Sequence, residues 1–189
     1  MTYTSPCHQV SIDSAFYGLQ NIQPLVQQDS MLLDQIFESC DYDLDQINQV
    51  IDPVLSAQQR CQLTTLYVHG VVIEQRVFLS TNLNQSQEIM VLPSAANWLM
   101  GSSPHCPIAI NHREVDRCHA VLGYLTDIGF YIADVGSQTG TRVNRCLLAP
   151  LQRRSLRNGD LIELGQLCIE FFIDRVGQPA VIDEDETHY

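Results

Sequence analysis

From about residue 77 to residue 175, short apolar runs alternate with Gly, Asn, Pro and Ser at close spacing. This punctuation constrains the fold more than any other feature, because runs so brief suit strands rather than helices. The candidate strands are 77–80, 88–92, 97–100, 108–110, 118–125, 130–134, 142–143, 161–164 and 167–173. Many short strands with turn residues between them predict an all-β sandwich. Within it, Leu161 and Glu163 fall on one face of a strand by simple alternation. Gly101, Gly140 and Gly159 are expected in tight reversals where a positive φ favours glycine.

Residues 1–75 are different in kind. They are Gln-rich and hold nine acidic residues against a single base, Arg60. The spacing predicts helix in pieces. Asp29 is placed to cap a helix carrying Leu32, Leu33, Ile36, Phe37 and Cys40 on one face. Asp43 or Asp45 is placed to start a second, with Leu44, Ile47 and Ile51 inward. Pro53 is expected to break that helix or to open a third containing Leu55, Leu63 and Leu66. Residues 63–73 are ambiguous between helix and strand, because their β-branched content also suits a strand. The stripes fit a small helical bundle, a helix packed on the neighbouring domain, or a homodimer seam. The expected domains are therefore a helical, acidic region at 1–75, a β-sandwich at 76–175 and an acidic tail at 176–189.

Charge narrows the partners. The net charge of −12 disfavours nucleic acid and anionic membrane, which need a cationic surface. Residues 112–157 run the other way, with seven Arg and four acids, and the chain has no Lys. All its positive charge is thus permanent and fork-shaped, suited to carboxylate or phosphate. Seven scattered Cys without a C-x-x-C spacing, a polar start and no membrane-length apolar run point to a reduced, cytoplasmic setting.

Four ordered segments resemble the signature of the forkhead-associated (FHA) family. They are Trp98-Leu99-Met100-Gly101-Ser102-Ser103, then Val115-Asp116-Arg117-Cys118-His119-Ala120, then the stretch Asp134-Val135-Gly136-Ser137-Gln138-Thr139-Gly140-Thr141 with Asn144, and finally Leu156 to Gly165 around Gly159-Asp160. The resemblance implies an FHA-like sandwich of about ten or eleven short strands in two sheets; it says nothing of residues 1–75, where the spacing predicts the preceding α-helical region. It implies a non-enzymatic adaptor that grips a protein or peptide partner with its loop tips, with no cofactor. The candidate peptide-binding residues are Ser102, Ser103, Arg113, Asp116, Arg117, Ser137, Gln138 and Thr139. Gly101, His119, Gly140 and Asn144 are expected to support the loops.

Phosphothreonine is the family's usual ligand, and the three positions that usually hold it are altered here. Ser102 stands at the Arg position, Asp116 at the Ser position and Thr139 at the Asn position. Losing an Arg–phosphate bond costs about 1.5–3 kcal/mol. A carboxylate about 5 Å from a dianionic phosphate repels it by about 2 kcal/mol in water and about 6 at an effective dielectric near 20. Together these remove about 10² to 10⁶ in affinity. The site is therefore expected to be degenerate, with two alternatives: phosphothreonine binding in a bacterial Ser/Thr-kinase pathway, rerouted through Arg113, Arg117 or Arg142, or a structural subunit of a larger complex. His105, Cys106, His112, Cys118 and His119 crowd together but lack a zinc-site spacing, so no metal is expected. No phosphate-loop lysine or nucleophile elbow is present, so no enzyme is expected.

Overall fold

A computed structural model of the chain describes residues 34, 37–38, 40–73, 76–83, 90–92 and 97–176. Among the described residues, one long helix, α1 (Leu44–Arg60), precedes the strands. These are β1 (Tyr67–Ile73), β2 (Arg76–Thr81), β3 (Met90–Leu92), β4 (Asn97–Gly101), β5 (Ile108–Ala109) and β6 (Ala120–Leu125). They continue with β7 (Gly129–Asp134), β8 (Thr141–Val143), β9 (Cys146–Leu147), β10 (Arg153–Ser155), β11 (Leu161–Leu164) and β12 (Leu167–Val176). They form a sandwich of two mixed sheets, ordered β3-β2-β1-β12-β11-β8-β9 and β10-β7-β6-β4-β5. β1 runs parallel to β12 and β4 parallel to β5; the other pairs are antiparallel.

The core is the interdigitation of the two inner faces. Trp98, Met100, Leu122, Phe130 and Ile132 meet Val68, Val72, Leu79, Ile162, Ile169 and Phe171. Phe130 packs edge-on against Phe171, with ring centroids 5.4 Å apart. Trp98 is a core residue. Ile162 and Leu164 point inward, leaving Leu161 and Glu163 on the outer face.

The strand alternative for residues 63–73 is the one realised, as β1. All seven of its residues are buried. One face lies on the core and the other lies under α1, so the sequence shows a continuous apolar run instead of alternation. A boundary at residue 75 would separate β1 from its neighbour β2 in the same sheet. Two short strands, β9 and β10, fall where no strand was expected, because their side chains are exposed and carry no apolar pattern.

Asp43 is the N-cap of α1, accepting the N–H groups of Asp45 (2.9 Å) and Gln46 (3.4 Å) on its carboxylate. Ile47 and Ile51 face inward as expected, but Leu44, in the first turn, is exposed. Pro53 neither breaks the helix nor opens another; α1 runs through it to Arg60. The bond lost is the one to the carbonyl of Gln49, an exposed residue. Leu55 is in the helix, whereas Leu63 and Leu66 lie beyond it. The helix expected from Asp29 lies largely outside the described residues, of which Phe37 and Cys40 join the α1 cluster. Of the tail expected over 176–189, Val176 is the buried last residue of β12 and the rest lies outside the described residues.

α1 packs its stripe (Ile47, Val50, Ile51, Val54) on the outer face of the larger sheet, against Val71, Ile73, Phe78 and Val176. α1 thus buries this apolar stripe against the chain's own sheet. The far end of α1 is fastened by charge. Arg60 pairs with Asp174 and donates to Asn158 Oδ1 (3.2 Å), its guanidinium lying over the Phe172 ring. The buried His69 donates from Nε2 to the same Asp174 carboxylate (2.7 Å). Immediately after the helix, the N–H groups of Gln62, Leu63 and Thr64 converge on the Glu170 carboxylate at 2.6–3.1 Å.

Gly70 tests whether β1 is integral to the sandwich. A Cβ there would lie 2.3 Å from the Phe130 ring. Gly70→Ala is expected to lower stability by about 1–3 kcal/mol in urea denaturation. An unchanged midpoint would show that β1 does not press on the core.

Candidate functional site

The turns that follow β4, β7 and β11, together with the segment preceding β6, gather at one end of the sandwich. Gly101 makes that convergence tight: a Cβ on it would sit 2.2 Å from the Arg117 carbonyl oxygen. Close backbone approach, not a left-handed turn, requires glycine at 101. Gly140 (φ 78°) and Gly159 (φ 86°) do occupy the left-handed region. The contact lets Ser102 N–H donate to the Asp116 carbonyl (2.8 Å) and His119 N–H to that of Met100 (2.9 Å).

His119 is fully buried and braces two loops. Its Nδ1 accepts the Asp116 N–H (3.2 Å), and its Nε2–H donates to the Gly140 carbonyl (3.4 Å). Asp134 closes the loop between β7 and β8. One carboxylate oxygen accepts the N–H groups of Gly136 (2.7 Å) and Ser137 (2.9 Å). The other accepts the hydroxyls of Ser137 (2.6 Å) and Thr141 (2.7 Å). Burial opposes ionisation of Asp134, but these hydrogen bonds outweigh it and hold the carboxyl below its ordinary value. The sequence reading gave Asp134 no role. The signal was an Asp two residues before Gly and three before Ser, the pattern of a side chain that folds back on its own turn.

The acidic residues at the tips are bound into the loops themselves. Asp116 Oδ2 accepts the Gln138 N–H at 2.5 Å, tying the segment before β6 to the loop after β7. Glu114 Oε2 accepts the Gln166 N–H at 2.8 Å in the β11–β12 turn. Thr139 donates its hydroxyl to the Glu114 carbonyl (2.8 Å). Ser102, Asp116 and Thr139 thus share one end of the sandwich. Of the hydroxyl candidates, Ser137 is committed to Asp134, Thr139 to Glu114, and Ser103 accepts the His105 N–H (3.3 Å). Ser102 alone of these makes no side-chain hydrogen bond among the described residues. The Gln166 contact was missed because nothing local to Glu114 indicates a turn fifty residues away.

Arg113 and Arg117 are exposed at this end, and their guanidiniums have no acidic partner among the described residues. Asn144 lies elsewhere. It joins the β8–β9 turn to the start of β11, donating to Asp160 (2.8 Å) and accepting the Leu161 N–H (2.8 Å). It therefore supports the opposite end of β8 rather than the tips. In the His/Cys group, Cys106 donates to the Arg117 carbonyl and His119 has both ring nitrogens engaged.

Residues 98–165 match the family model described as the FHA domain. The chain carries an FHA domain. No curated protein matches it. Among solved structures, it is similar to an FHA domain from work on phosphothreonine-dependent FHA interactions, at 24% identity over 44% of this chain and 81% of that one (TM-score 0.37). The FHA domain of a Chlamydia trachomatis protein is 24% identical over 41% and 77% of the two chains (TM-score 0.37). The FHA-2 domain of a Mycobacterium tuberculosis ABC transporter is 28% identical over 42% and 69% (TM-score 0.37). FHA domains are protein–protein interaction modules that bind phosphothreonine, and the family is not enzymatic. Among the described residues, no helix is long and apolar enough to cross a membrane.

Asp134→Ala would strand two hydroxyls and two loop amides, at about 1–3 kcal/mol for each donor left buried and unpaired. A loss of about 3 kcal/mol in thermal or urea denaturation is expected. A loss below about 1 kcal/mol would mean that water replaces the carboxylate. Asp174 is also held below its ordinary value: burial opposes it, and His69 and Arg60 overcome that effect. Both carboxyls contribute fully above the ordinary value of 3.8, and the contribution disappears as pH falls through their folded values. The melting temperature is expected to drop steeply below that value, and less steeply in Asp134→Asn.

Proposed function

We propose that this FHA domain is a non-enzymatic adaptor whose loop end no longer reads phosphothreonine and instead engages an unphosphorylated protein segment. One observation carries the reading: the Asp116 carboxylate accepts the Gln138 loop amide at 2.5 Å. An anion of the chain's own already sits at the tips on one of their amide donors, and its charge repels a second anion. The Glu114 carboxylate supports the same reading by taking the neighbouring turn amide. Ser102, at the family's Arg position, supplies no compensating charge. The free oxygens of Asp116 and Glu114 suit an Arg or Lys of the partner.

The exposed Arg113 and Arg117 favour a second reading. A phosphopeptide drawn to them would bind beside the usual position, as in a kinase signalling pathway.

The full chain is the reagent for the test, since a fragment beginning at residue 76 lacks β1 from the middle of the larger sheet. Wild type is expected to show no phosphate-dependent binding to a degenerate phosphothreonine peptide library by fluorescence polarisation. Ser102→Arg with Asp116→Ser is expected to gain it by tenfold or more. Phosphatase-sensitive binding by the wild type, lost in Arg113→Ala or Arg117→Ala, would establish the second reading and overturn the first.

A further inference from the structure

Cys106 and Cys118, twelve positions apart in the His/Cys cluster, have no part in the loop lattice beyond one weak bond, yet the fold brings them together. Neither is in a disulfide. Cys106 lies between β4 and β5, where its N–H donates to the Ser103 carbonyl (3.0 Å). Cys118 lies just before β6. On one side of it the Arg117 carbonyl accepts the Ser103 N–H (3.3 Å), and on the other the His119 N–H donates to the Met100 carbonyl (2.9 Å). Both cysteines are thus fixed to the same stretch of backbone, from Met100 to Ser103.

Their side chains are closer still. Cys106 Sγ lies 3.3 Å from the Arg117 carbonyl oxygen. The peptide bond from Arg117 to Cys118 is trans, so that oxygen is about 2.8 Å from the Cys118 Cα, and the Cys106 sulfur lies within about 6 Å of the same Cα. A cysteine side chain spans such a gap when a disulfide forms. The two thiols also act on each other. Burial pushes the Cys106 thiol up from its ordinary value, and the Cys118 thiol raises it further by charge and by hydrogen bonding. They differ in access, Cys118 being exposed and Cys106 buried. An exposed sulfur that meets the oxidant, beside a sheltered one that resolves it, is the arrangement of a redox-responsive pair.

We propose that Cys106 and Cys118 are a reversible modification site: a peroxide oxidises them to a disulfide that ties the β4–β5 segment to the segment before β6. The Cys118 thiolate attacks one peroxide oxygen and the O–O bond breaks. Cys118 becomes a sulfenic acid, and the other oxygen leaves and takes up a proton. The Cys106 sulfur then attacks the Cys118 sulfur, the S–O bond breaks, and hydroxide departs as water with the Cys106 proton. The two sulfurs give up two electrons and the peroxide takes them. A thiol reductant reverses the bond by exchange. The linked segments carry Ser102, Ser103 and Asp116, so oxidation stiffens the loop end whichever ligand it takes.

Peptide mapping of the full chain tests it. Trypsin cuts after Arg76, Arg113, Arg117 and Arg142, so the disulfide joins peptides 77–113 and 118–142, each of which holds a single cysteine. After hydrogen peroxide and alkylation of the remaining thiols, the joined pair is expected from the monomer as the main oxidised product of Cys118, and dithiothreitol is expected to abolish it. The oxidised protein is expected to melt several degrees higher, because the closed loop restricts the unfolded chain. Cys118→Ser, a change at an exposed position, is expected to lose both the joined pair and the shift. In Cys106→Ala, Cys118 has no resolving partner, and its labelling by dimedone, which traps sulfenic acid, is expected to rise several-fold over wild type. A wild type whose Cys106 stays open to alkylation after peroxide, a Cys118 disulfide to another cysteine or another molecule, or equal dimedone labelling in wild type and Cys106→Ala overturns the proposal.

Discussion

The loop end of this FHA domain depends on carboxylates paired with backbone amides. Asp134 folds the loop after β7 by accepting four donors at once. That places Gly140 where its carbonyl receives the His119 ring, and His119 in turn receives the Asp116 amide. Asp116 and Glu114 then spend their own carboxylates on Gln138 and Gln166. The order matters physically. A buried carboxylate without donors would be costly, and an amide without an acceptor nearly as much. The two shortages cancel here, and the tips are closed by the protein itself.

Much of this was legible in the chain because it is local. The strand runs, the glycines at 140 and 159, and the cap at Asp43 each express a constraint that acts over a few residues. β1 was legible only as one of two alternatives, because a strand buried on both faces loses the alternation that identifies it. β9 and β10 were missed for the opposite reason, being exposed and without an apolar signal. Pro53 misled because a helix held by tertiary packing tolerates one lost bond on its exposed side.

At the site, the sequence located Ser102, Asp116 and Thr139 but not what they do. That Asp116 belongs to the loop lattice depends on Gln138, and the function of Glu114 depends on Gln166. Both are contacts across loops, and the second lies at the close turn of Gly165, where a Cβ would press on Glu114 and Thr139. Asn144 shows the limit of carrying a role over by motif: its side chain is fully used, but at the other end of the strand.

The distribution of unmet charge follows from the same accounting. Residues 1–75 carry one base, and it is consumed in fastening α1 to Asp174. The tip acids Asp116 and Glu114 are each consumed on an amide. At the tips, the Arg113 and Arg117 guanidiniums remain without an acidic partner among the described residues. A chain that spends its tip acids on its own amides therefore leaves the unmet charge of the loop end on these two arginines. Interaction energy is available where groups remain desolvatable and unpaired, so a partner at the loop end would meet these two cations and the outward oxygens of Asp116 and Glu114.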